Sequence, residues 1–160
     1  MVKKVNWPRL IFAIALCQAA GIIGSLFTFS SIPTWYAALT KPSFNPPSWV
    51  FGPVWTILYT LMGISLYLIL SKGLKKKEVK IAVNLFVWQL IANSLWSIIF
   101  FGMKNIPLAL IEIIVLLLLV FTTIQKFYKI NKTAAYLLIP YFFWGSFATF
   151  LTYSIWILNK

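Results

Sequence analysis

Residues 106–124 read IPLALIEIIVLLLLVFTTI, an apolar run that as a helix is long enough to cross the hydrocarbon of a bilayer, which takes about 20 such residues. Working outward, four stretches of the same grade lie at 10–29, 49–70, 81–101 and 134–157. Little chain remains between them. Apolar residues make up 61% of the sequence, acidic side chains occupy two of its 160 positions, and the mean hydropathy of +0.90 leaves too little polar surface for a soluble domain. The expected architecture is all-α: one membrane domain over residues 1–160, an integral bundle of five transmembrane helices, with no room for a soluble catalytic module.

The net charge of +12 could serve nucleic acid, but its placement argues for lipid. Lys3, Lys4 and Arg9 precede the first stretch; Lys72, Lys75, Lys76, Lys77 and Lys80 separate the second from the third; Lys126, Lys129 and Lys132 separate the fourth from the fifth. The opposite side carries only Lys41, Lys104 and Lys160. By the positive-inside rule the N-terminus is expected inside and the C-terminus outside, the basic side resting on anionic headgroups. The N-terminal apolar run is longer than a signal-peptide core and lacks a small-x-small cleavage pattern, so it reads as a retained first span.

Between the first two stretches lies PTWYAALTKPSFNPPSWVFGPVWTILY, residues 33–59. It crowds Trp35, Tyr36, Phe44, Trp49, Phe51, Trp55 and Tyr59 among Pro33, Pro42, Pro46, Pro47 and Pro53. Anchoring at an interface does not require so many rings. Prolines restrict the open chain and hold the aromatics in place, so the segment is expected to form the lid of a ligand pocket on the outer side. Metal chemistry finds no support in the residue types: Cys17 is the only cysteine and histidine is absent.

Spacing supplies candidate walls. Gln89, Asn93, Trp96 and Phe100 fall on one helical stripe, and amides in hydrocarbon either bond between helices or line a polar cavity. Both readings stay open. Ser94 and Ser97 need only helix backbone or the adjacent helix. Cys17, Gly21, Gly24 and Thr28 make a row of small residues on the first span, suited to close helix packing inside the bundle or, less favoured, to a dimer face. Glu112 stands alone in the fourth span; it reads as a functional acid, a neutral acid or a hydrogen-bonding partner of a neighbouring helix, and a proton relay lacks titratable partners. In the fifth span Pro140 is expected to bend the helix, Trp144, Ala148 and Leu151 outline a recess, and Tyr153 and Trp156 suit an interfacial belt.

The stretches WYAALTKPSFNPPSWVFGPVWTILYTLMG, QLIANSLWSIIFFG and IPYFFWGSFATFLTYSIW resemble the TspO/MBR family, the tryptophan-rich sensory proteins whose mitochondrial members are the translocator protein, or peripheral benzodiazepine receptor. The likeness covers essentially the whole chain in order. It implies a five-helix bundle, commonly a homodimer, binding protoporphyrin IX or haem and benzodiazepine- or isoquinoline-type ligands, with no required cofactor. Carried onto this sequence, the ligand-binding residues would be Trp35, Tyr36, Trp49, Phe51 and Trp55 from the loop and second helix, and Asn93, Trp96 and Phe100 from the third. Trp144, Phe147, Ala148 and Leu151 would join from the fifth, Ala20 and Gly21 would close one side, and Leu116 would approach from the fourth. The family's acidic position matches Glu112. Mitochondrial relatives also bind cholesterol, but the C-terminal sterol pattern is incomplete here: Leu151 and Tyr153 are present, Ile157 stands where those relatives have arginine, and Lys160 comes one residue too late.

Three activities compete. A receptor-like protein would bury a flat tetrapyrrole between indoles, with Asn93 and Trp N–H groups orienting it. An enzyme would degrade protoporphyrin IX in light, an activity proposed for bacterial relatives, with Trp49 and Trp144 as electron donors and the ligand supplying the difficult chemistry; no acid, base or nucleophile arrangement supports ordinary catalysis. A porphyrin or sterol transporter would want an inverted repeat or paired broken helices, neither of which is visible. Receptor-like binding in a bacterial cell membrane is the reading adopted, photodegradation ranks second, and the sequence leans away from an enzyme.

Overall fold

A computed structural model of the chain describes residues 5–160 and is helical throughout its regular structure. α1 (Trp7–Ser31) runs into a π-helical segment, Ile32–Tyr36, and an irregular loop leads to α2 (Ser48–Leu70). α3 (Lys77–Ser97) likewise ends in a π-helical segment, Ile98–Gly102, before α4 (Ile106–Ile130), α5 (Lys132–Leu137) and α6 (Ile139–Leu158). Five helical segments, Trp7–Tyr36, Ser48–Leu70, Lys77–Gly102, Ile106–Ile130 and Lys132–Leu158, are long and apolar enough to cross a membrane. This is the expected five-helix membrane bundle. Lys3 and Lys4, part of the N-terminal cationic group, lie outside the described residues.

Helix starts follow a repeated local device. Asn6, Asn105 and Asn131 each accept a hydrogen bond at the side-chain oxygen, from the N–H of Arg9, Leu108 and Ala134 at 3.1, 3.1 and 3.2 Å. Each satisfies an N–H that the first turn leaves without a helical partner. Asn131 also ends α4, its extended backbone turning the chain directly into α5. The fifth span is interrupted two residues before Pro140, where the chain breaks at Leu138 into α5 and α6. Pro140 then sits in the first turn of α6, where its missing N–H has no helical acceptor to lose.

The small-residue row of α1 faces into the bundle. Cys17 is fully buried, a Cβ on Gly21 would lie 2.3 Å from the Tyr59 ring, and one on Gly24 would lie 3.0 Å from Ser97 Oγ. Opposite, Gly63 of α2 lets the backbone of Ile14 approach so closely that a Cβ would lie 2.5 Å from its Cα. Polar side chains stitch the same contacts: Gln18 Nε2 donates to Thr56 O and Thr60 Oγ1 at 3.0 and 3.1 Å, and Ser94 Oγ donates to Ala20 O at 3.0 Å. Because lipid is as apolar as the helix faces, close packing and interhelical hydrogen bonds carry the association. Ile11, Leu26, Ile111, Leu118 and Phe143 point outward as the exposed apolar surface such a solvent demands.

The two π-helical segments lie together. Tyr36 packs on Phe101 and Phe100 at 5.7 and 6.2 Å between ring centroids, Trp35 on Phe100 at 5.5 Å, and Ser31 Oγ donates to the Phe101 carbonyl at 2.9 Å. The wider turn shifts side-chain direction along each helix. Both Phe100 and Phe101 are consequently buried.

Candidate functional site

Against these π-helical segments lies a cleft of about 570 Å³. Its wall is built by α1 with its π-helical end, α2, the α3 stripe and α6; no residue of α4 or α5 lines it. Trp55 stacks on Tyr59 at 5.4 Å, Trp96 on Phe100 at 5.0 Å, and Phe51 meets Trp144 edge-on at 6.1 Å. These rings present flat, apolar surfaces with few polar atoms between them.

The polar atoms are unequally engaged. Tyr59 Oη donates to Asn93 Oδ1, and Asn93 Nδ2 donates to Tyr141 Oη at 3.0 Å. The amide therefore joins α2, α3 and α6, the interhelical alternative for this stripe. Trp96 is a lining residue, while its Nε1 is buried without a hydrogen-bond partner among the described residues. Gln89, one turn below Asn93, and Glu112 Oε2 are buried without partners as well, but neither residue lines the cleft.

The cleft opens sideways between α1 and α2. Ile22 and Phe29 on one helix, and Trp49, Gly52 and Thr56 on the other, are cleft residues that remain exposed. A Cβ on Gly52 would meet nothing within 4 Å. The same two helices touch closely at Gly63 and Ile14, so they diverge from a tight crossing toward an open mouth.

Most of the residues expected at the site line this cleft: Gly21, Tyr36, Trp49, Phe51, Trp55, Asn93, Trp96, Phe100, Trp144, Ala148 and Leu151. Four do not. Ala20 is turned toward α3, where its carbonyl accepts from Ser94; Trp35 is occupied with Phe100 outside the lining; Leu116 is buried in the core; and Phe147 packs on Trp144 and Phe44. Tyr59, named among the rings of the 33–59 stretch but not among the ligand-binding residues, lines the cleft too, and Gln18, Thr28, Phe101 and Ile155 line it without having been anticipated there. Tyr59 was visible as the last ring of the 33–59 stretch, whereas Phe101 is brought in by the π turn.

The loop is positioned differently from a lid over the lining. Residues 37–47 contribute nothing to the cleft wall. They are tied to the end of α6, with the Thr40 N–H donating to Asn159 Oδ1 at 2.9 Å, Asn159 Nδ2 donating to Thr40 O at 2.8 Å, and Phe44 stacked on Phe150 at 5.2 Å. Tyr36 Oη donates to Asn45 Oδ1 at 2.7 Å. The loop thereby braces Tyr36 at its start, which lines the cleft.

The TspO/MBR family model matches residues 13–157. The Tryptophan-rich protein TspO of Chlorobaculum tepidum is 44% identical over 94% of this chain and 95% of its own length. The human Translocator protein is 38% identical over 84% of this chain and 80% of its own, and the Tryptophan-rich sensory protein of Cereibacter sphaeroides is 33% identical over 98% and 94%. A match of this extent, on five membrane-grade helices, leaves one conclusion: the chain belongs to the TspO/MBR family of integral membrane proteins.

Proposed function

We propose that the protein is a receptor-like binder of flat tetrapyrroles, protoporphyrin IX or haem, and of benzodiazepine- or isoquinoline-type ligands, in the cleft between α1, α2, α3 and α6. One observation carries this reading: a cleft of about 570 Å³ walled by indole and phenyl rings. Ligand sites typically occupy about 300–1,000 Å³ and combine apolar walls with a few placed polar groups. Trp96 is the orienting donor in this reading, because both polar atoms of Asn93 are engaged with tyrosines. The placement of the cationic residues supports an orientation with the N-terminus inside and the C-terminus outside, the bacterial relatives support a bacterial cell membrane, and the family likeness favours a homodimer. No cofactor is required.

Titration with protoporphyrin IX in the dark, followed by tryptophan quenching, tests the proposal. Saturable binding is expected, weakened about tenfold or less in Trp96→Phe, which keeps a ring and loses one hydrogen bond. Absence of saturable binding by the wild-type protein overturns it. A second reading, light-dependent degradation of protoporphyrin IX, is favoured by Trp49 at the mouth and Trp144 on the wall of the same cleft. There the porphyrin is the photosensitiser, and one electron passes from an indole to its photoexcited state, giving a porphyrin radical anion and an indole radical cation. Illumination of the complex, compared with free porphyrin and with Trp144→Phe, decides it: identical products in all three remove the enzyme.

A further inference from the structure

At the opposite end of the bundle from the aromatic loop, Lys72 and Lys76 of the α2–α3 connection and Lys126 and Lys129 of α4 line one concavity of about 520 Å³. The two pairs come from segments far apart in the chain. A topological preference for basic loops requires only that such residues stay on one side of the membrane; it does not require them to meet in a single cleft.

Four ammonium groups face one carboxylate there, that of Glu78. The only other acid in the chain, Glu112, lies well inside α4 and outside this cleft. Like charges lining one concavity repel one another and raise the local concentration of anions. The start of α3 faces the same space through Lys76, Glu78 and Val79, and no side chain caps it, leaving N–H groups of its first turn open to an anion. Val79, Ile81 and Ile130 complete the lining. Val79 is fully buried and Ile81 is 43% exposed, so the cleft passes from cationic groups to an apolar flank.

We infer that this cleft is a phosphate-binding site that seats the headgroup of an anionic phospholipid. The lysines and the open helix start take the phosphate, and the apolar flank takes the beginning of the acyl region. A free phosphate ion shares the first feature and gains nothing from the second. The site is separate from the aromatic cleft, and it stands whether or not tetrapyrroles bind.

The test is native mass spectrometry of the full chain in detergent, titrated with phosphatidylglycerol, with phosphatidylcholine and with inorganic phosphate. Lys76→Gln/Lys126→Gln/Lys129→Gln is compared with Lys75→Gln/Lys77→Gln/Lys80→Gln, which removes equal charge from residues outside the cleft. The cleft variant is expected to lose retained phosphatidylglycerol about tenfold or more, the control about twofold or less. Equal losses in both, or none in either, overturn the site. Displacement of phosphatidylglycerol by equimolar inorganic phosphate, or retention of phosphatidylcholine equal to phosphatidylglycerol, overturns the lipid assignment. If the triple cleft variant does not extract intact, Lys126→Gln/Lys129→Gln, confined to exposed positions, carries the same comparison against Lys75→Gln/Lys77→Gln.

Discussion

The α1–α2 seam is closed at one end and open at the other, although apolar side chains stand at both. At the closed end Gly63 admits the backbone of Ile14. At the open end Trp49 and Phe29 stand exposed on either side of the cleft, and Gly52 faces empty space. Midway along the seam between α3 and α4 the packing is closed, with Phe86 stacked on Phe127 at 5.8 Å, and the concavity of that seam lies at its cationic end. Hydrophobicity therefore does not separate packed surface from binding surface in this protein. What separates them is where a missing side chain is filled by a neighbouring backbone and where it is left open.

The strongest way to break that contrast is Gly63→Ala. Its Cβ meets Ile14 backbone atoms at 2.5 and 2.9 Å, so α1 must move, at a cost of about 3 kcal/mol that exceeds the helix-propensity gain of about 1 kcal/mol. A large drop in the thermal midpoint in detergent, read by circular dichroism, is expected; an unchanged midpoint would show that the crossing is loose. Next in size is Asn93→Ala, which leaves the Tyr59 and Tyr141 hydroxyls without their shared partner. A loss of about 2 kcal/mol is expected, and a neutral result would mean that water or another side chain replaces the amide.

Asn105→Ala sharpens the comparison from the start of α4, where the capping residue lines neither cleft. Loss of the helix cap should lower stability by about 1 kcal/mol without altering porphyrin binding; a change in affinity would couple the two seams. Gly52→Ala is the smallest test. With nothing within 4 Å of the added methyl, the midpoint should hold or rise by an amount worth about 1 kcal/mol or less. A marked fall would mean that the open end is closed in the membrane.

The cationic end and the aromatic end also differ in how readily the sequence discloses them. The 33–59 stretch announces a specialised region through rings and prolines, and the α3 stripe announces a wall through its period, because both signals are local. Asn93 was legible as an inward amide, yet whether it would bond to helices or to a guest depended on two tyrosines, one 34 and one 48 residues away. Ala20 and Leu116 carry no local mark that separates a core residue from a lining residue. Phe101 became a cleft residue because a π turn rotated the end of α3, and the two lysine pairs converge only because α4 returns beside the α2–α3 connection.

The sequence by itself determined the solvent, the number of spans and the family. Hydropathy and a contiguous aromatic motif are written along the chain and need no partner to act. Only the tertiary structure decided that the small row of α1 packs inward, that Asn93 joins three helices, that Trp96 keeps a free N–H, and that the loop, tied to the end of α6, braces Tyr36. Each of those depends on what a side chain meets across a seam. In a bilayer, where neighbouring lipid is as apolar as any helix, that meeting is settled by shape and by hydrogen bonds between helices.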